Sequence, residues 1–89
     1  MMNTKALSYM DCVILSLIRR YDLSEQAATN AVKKSYLYEL LQNEPEETMH
    51  DSVNDSADDV YYEIFEKAYL MTEDYANANA LQAYLTEKL

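Results

Sequence analysis

Glycine is absent from this chain of 89 residues, and proline occurs once, at Pro45. At ordinary usage roughly six glycines would be expected. Glycine supplies positive φ, lets backbone approach a phosphate closely, and turns tight hairpins. Its absence excludes the Walker loop and the dinucleotide fingerprint, which need glycine at fixed offsets. What remains favoured is a set of helices joined by short polar turns. Cys12 is the only cysteine, so no disulfide can form within the chain, and a reducing compartment fits. Long apolar runs are lacking too: Val13-Ile14-Leu15 is broken by Ser16, and Leu17-Ile18 by Arg19-Arg20. Such runs are too short to cross a bilayer. The N-terminus shows no basic region leading into an apolar core and a small-residue cleavage site. The expectation is a soluble, cytoplasmic protein with no membrane partner.

Basic charge is scarce in the second half. Residues 1–43 carry five basic and four acidic side chains, a net of +1, whereas residues 44–89 carry two basic and twelve acidic ones, a net of −10. That half repels phosphate, which argues against direct nucleic-acid binding and suits a basic protein surface as partner. The hydrophobic fraction of 49% is too high for a disordered chain and sufficient for one small core.

Apolar spacing predicts a first helix from about Thr4 to Tyr21, with Leu7, Met10, Val13, Ile14, Leu17, Ile18 and Tyr21 on its main stripe. So wide a stripe marks a central helix. Ser24 is a good N-cap and Glu25 suits a first turn. From there to Gln42 the pattern changes phase: Ala27, Ala28, Ala31, Val32 and Ser35 make a small-residue face, while Leu37, Leu40 and Leu41 lie well around from it. A break or kink near Ser35-Tyr36 resolves the conflict. Pro45, followed by Glu46-Glu47, signals a further start. A long helix is expected from there to about Met71, with Met49, Val53, Ala57, Val60, Ile64, Ala68 and Met71 on its inner face. A last helix, about Glu73 to Lys88, completes the reading.

Candidate chemistry is thin. Glu47-Thr48-Met49-His50 matches the Glu-x-x-His spacing of di-iron sites, but His50 is the only histidine, so such a site needs a dimer. The stretch from Asp51 to Glu63 is acidic like a calcium loop, yet neither frame places a glycine at the sixth position. Cys12 lies within an apolar helix and reads as a small core residue. Arg19-Arg20 and Lys33-Lys34 invite a helix-turn-helix reading of residues 24–42, but its second helix would carry no base for phosphate or guanine. Tyrosine is over-used, with nine residues. Most should edge the core, with ring buried and hydroxyl wet. Tyr62 falls instead on the acidic face of the long helix, amid Asp51, Asp55, Asp58, Asp59 and Glu66. Tyrosine is a rigid amphipathic anchor at interfaces, so these six residues form the candidate partner-binding patch.

At residues 28–64, the run from Ala28 and Ala31-Val32-Lys33-Lys34-Ser35-Tyr36-Leu37-Tyr38-Glu39-Leu40-Leu41, then Glu46-Glu47-Thr48-Met49-His50-Asp51-Ser52, then Val60-Tyr61-Tyr62-Glu63, resembles small uncharacterised helical bacterial proteins. Those resemble accessory members of mobile-element or toxin–antitoxin-like cassettes. The resemblance spans under half the chain and carries over no functional residue. It implies a small, helical, non-catalytic partner protein.

The sequence thus predicts an all-α fold, a compact bundle of four to five helices in a single domain over residues 1–89, with the Glu46–Met71 helix packed on the first. The leading function is a non-enzymatic interaction module, without cofactor or metal, that binds a basic protein through its acidic helix face as an antitoxin-like or regulatory subunit. A nucleic-acid mimic that occupies a DNA- or RNA-binding groove is the first alternative. A small metal-dependent protein using Glu47 and His50 across a dimer is the second. The tyrosine-rich edges also permit a homodimer.

Overall fold

Local side-chain caps set the start of three of the described helices. The computed structural model describes residues 2–72, with side chains as far as Glu66 except Phe65. The expected last helix, Glu73 to Lys88, lies outside the described residues, as does the expected inward placing of Ala68 and Met71. Within them the chain is an all-α bundle: α1 (Thr4–Tyr21), α2 (Glu25–Lys34), α3 (Tyr36–Asn43), α4 (Pro45–Thr48) and α5 (Val53–Thr72).

Asn3 caps α1, its Oδ1 accepting from the Ala6 N–H at 2.8 Å, and Arg19 and Arg20 meet the negative end of the helix dipole. After Tyr21 the chain turns at Asp22, which adopts the left-handed conformation (φ 55°, ψ 39°). Ser24 caps α2 through the Ala27 N–H at 3.1 Å. Ser35 is extended and breaks the chain between α2 and α3, where the small-residue and leucine faces conflict. Its hydroxyl does not cap α3 but donates back to the Val32 carbonyl at 2.6 Å.

The long helix expected from Glu46 is two helices. Pro45 opens α4, which is a single turn. A turn through Met49 and His50 follows, and Ser52 opens α5 by accepting from the Asp55 N–H at 3.1 Å. Helical spacing of apolar residues continues through the turn because Met49 still packs against the core. The inner face of α5 is as expected: Ala57, Val60 and Ile64 are buried, with Val53 half-buried beside them.

One core joins these elements. Its largest fully buried side chains are Val13 and Leu17 of α1, Val32 of α2, Leu41 of α3, and Val60 and Ile64 of α5. Each stabilises the fold by about 1.5–3 kcal/mol. Ala27, Ala28 and Ala31 are also buried, and their small size lets α2 lie close to α1. α1 packs against α2, α3 and α5, as its wide stripe predicts. Two of its positions differ from expectation. Leu7 is 49% exposed, and Cys12 is exposed rather than a core residue. The line that enters the core is Ala6, Met10, Val13 and Leu17, and Cys12 lies about a third of a turn away from it.

Candidate functional site

The outer side of α5 carries the acidic residues, and its packing against α1 and α3 sorts them into three groups. Asp58 leans toward α1. Its carboxylate accepts from Arg20 Nη2 at 2.8 and 2.9 Å, from Arg20 Nε at 3.2 Å, and from the Tyr21 hydroxyl. The Tyr21 hydrogen bond, with Arg20 next, holds the Asp58 carboxyl below the usual carboxylate range. Burial, with the Asp58 hydrogen bond next, pushes the Tyr21 phenol up to about 12. The Tyr61 ring stacks on Tyr21, with centroids 3.8 Å apart and planes 4° from parallel. Asp58 is therefore half-buried and already paired with Arg20 and Tyr21, whereas it was expected as a free member of the partner-binding patch. A wheel drawn for one helix places it outward but does not include the end of α1.

Tyr62 stands on the outward side and is 64% exposed. Its ring is not loose, because it meets the Tyr61 ring edge-on at 5.8 Å. Asp55, Asp59 and Glu66 are exposed, and with Tyr62 they follow one another at four, three and four residues, so they share a face. The result is an aromatic anchor flanked by carboxylates and braced from behind. Asp51 precedes α5 and sits apart from this stripe, among the residues that line a hollow between α3 and α5. Its backbone carbonyl accepts from the Tyr9 hydroxyl at 2.8 Å, and that hydroxyl also bonds Ser56 Oγ at 2.6 Å. This ties the start of α5 to α1. Ser16 Oγ donates to Asn54 Oδ1 at 2.8 Å and ties the two helices again about two turns further along α1.

The third group faces α3. Both Glu63 oxygens accept from the Tyr36 N–H, at 3.1 and 3.2 Å, so Glu63 caps α3 from 27 residues away. Neither Glu63 nor the 61% exposed Tyr36 stands out in the sequence. The only available signal is negative: Ser35 has no helix-capping partner pattern around it.

The alternative chemistry gains no geometry. α4 ends at Thr48, so Glu47 and His50 do not share a helical face as the expected long helix required. The His50 N–H bonds the Glu47 carbonyl within a turn. Among the described residues, no group of three or more His, Cys, Asp or Glu side chains is placed to hold a metal ion. No described helix is long and apolar enough to cross a membrane. No family model matches the chain, and comparisons with curated proteins and with solved structures find no match.

Proposed function

We propose that this protein is a non-enzymatic interaction module that captures a basic partner protein on the outer face of α5, as a small regulatory or antitoxin-like subunit of the cytoplasm. The observation that carries the reading is Tyr62: a large ring, 64% exposed, braced by Tyr61 and flanked on its own face by Asp55, Asp59 and Glu66. Tyrosine anchors at interface centres are worth about 2 kcal/mol or more, whereas rim carboxylates steer a cationic surface and fix its register. Asp58 leaves the patch because Arg20 already holds it.

The triple variant Asp55→Asn, Tyr62→Ala, Glu66→Gln tests this and keeps every hydrogen-bonding group of the Arg20–Tyr21–Asp58 cluster. Affinity capture from native lysate should yield a basic protein with the natural chain and lose it by about thirtyfold with the variant. Far-UV circular dichroism should be the same for both. A variant that captures the same partner undiminished removes the reading. A captured partner displaced by nucleic acid would favour the mimic instead.

A further inference from the structure

Beside the outer stripe, a cavity of about 150 Å³ opens between α3 and α5. Leu37, Leu40 and Val60 give it an apolar floor. Asp51, Asp59 and Glu63 line it too, and among the described residues no Lys, Arg or His does. Tyr36, the most exposed of its apolar groups, lines it as well. Glu63 is held in place by the Tyr36 N–H and so offsets the positive end of α3. The three carboxylates Asp51, Asp59 and Glu63 give the groove its negative lining. Asp59 also belongs to the outer stripe, so groove and stripe are continuous.

Size and lining together select the occupant. A cavity of about 150 Å³ takes one benzene-sized group, so a single side chain fits and a helix does not. An apolar floor accepts a methylene stem. Carboxylates beside an aromatic ring accept a planar cation that hydrogen-bonds one and lies over the other. A guanidinium does both, while an ammonium is a strongly hydrated point charge that stacks less well. We infer that the groove between α3 and α5 is a socket for one arginine side chain of the basic partner. The inference rests on the function proposed above and names the anchor that the partner supplies.

The test is a titration of the isotope-labelled full chain with N-acetyl-arginine amide, followed by nuclear magnetic resonance, with the lysine and citrulline counterparts as controls. Arginine should shift the methyl signals of Leu37, Leu40 and Val60 saturably. Citrulline, of the same shape without the charge, should bind at least about tenfold more weakly. Asp59→Asn should weaken arginine binding about tenfold, and Tyr36→Leu should remove the preference for arginine over lysine. Tyr62→Ala should leave the titration unchanged. Equal binding of arginine and citrulline overturns the socket, and so does an absence of shifts. Shifts confined to Asp55, Tyr62 and Glu66 overturn it too, but leave the outer-face reading standing. That reading fails separately, when the outer-face triple variant retains its partner.

Discussion

Asp22 is where the lack of glycine is felt most directly. It follows α1 with φ 55° and ψ 39°, the conformation for which glycine is the usual choice. Aspartate tolerates this region better than most residues, yet an L-residue there costs about 1–2 kcal/mol. Replacing it with glycine removes that cost and adds about 0.5–1 kcal/mol of unfolded-state entropy. Asp22→Gly should therefore stabilise the fold by about 0.5 kcal/mol, and Asp22→Val should destabilise it by about 1–2 kcal/mol, read from urea midpoints. The Arg20–Tyr21–Asp58 cluster makes stability depend on pH from both sides. Asp58 is depressed on folding, so its contribution is in place above the unfolded carboxyl value of about 3.9 and is lost as pH falls through the lower folded one. Tyr21 is raised to about 12, so its contribution is complete below the ordinary phenol value and is lost as pH climbs toward the folded one. Asp58→Asn should flatten the acid limb of a urea-midpoint profile. Tyr21→Phe should remove part of the alkaline limb. Tyr9 and Tyr61, whose phenols burial also raises, should keep the rest.

Among the elements, α3 depends most on a distant residue. Its first N–H is satisfied by Glu63 of α5, while Ser35, the residue in capping position, turns its hydroxyl back to α2. Glu63→Ala should cost about 1 kcal/mol and speed amide exchange in the first turn of α3. Adding Ser35→Asp, which supplies a cap locally, should restore that protection. If exchange is unchanged by Glu63→Ala, the cap contributes nothing. The two interhelical breaks show what the sequence could disclose. The break at Ser35 is legible because the buried face changes phase across it. The break after Thr48 is not, because Met49, Val53 and Ala57 keep helical spacing while the chain between them leaves the helix. Only Ser52, followed three residues later by Asp55, signals the new start.

For the whole molecule, the all-α class and the central place of α1 follow from period and composition, whereas the candidate site was only partly legible. Tyr62 is outward and exposed as its wheel position implies. Asp58 and Glu63 look alike in sequence, but each is turned to a neighbouring helix, and neither destination is encoded within α5 itself. Charge also acts at this scale. The near-neutral first half and the net −10 of residues 44–89 leave the acidic half repelling itself. Salt shortens the reach of that repulsion to about 10 Å at 0.1 M. The melting temperature should thus rise between ~10 mM and ~0.3 M sodium chloride, while capture of a basic partner weakens over the same range. A melting temperature that falls with salt would show that exposed ion pairs outweigh self-repulsion.

The stacked Tyr21 and Tyr61 rings also have an optical consequence. The chain has no tryptophan, so its near-ultraviolet signal comes from tyrosine and phenylalanine alone. Two phenols held 3.8 Å apart and nearly parallel couple their transitions, while isolated rings do not. The coupled pair reports the docking of α1 on α5 without any label. Because Tyr62 rests edge-on against Tyr61, a partner that grips Tyr62 touches that chromophore directly.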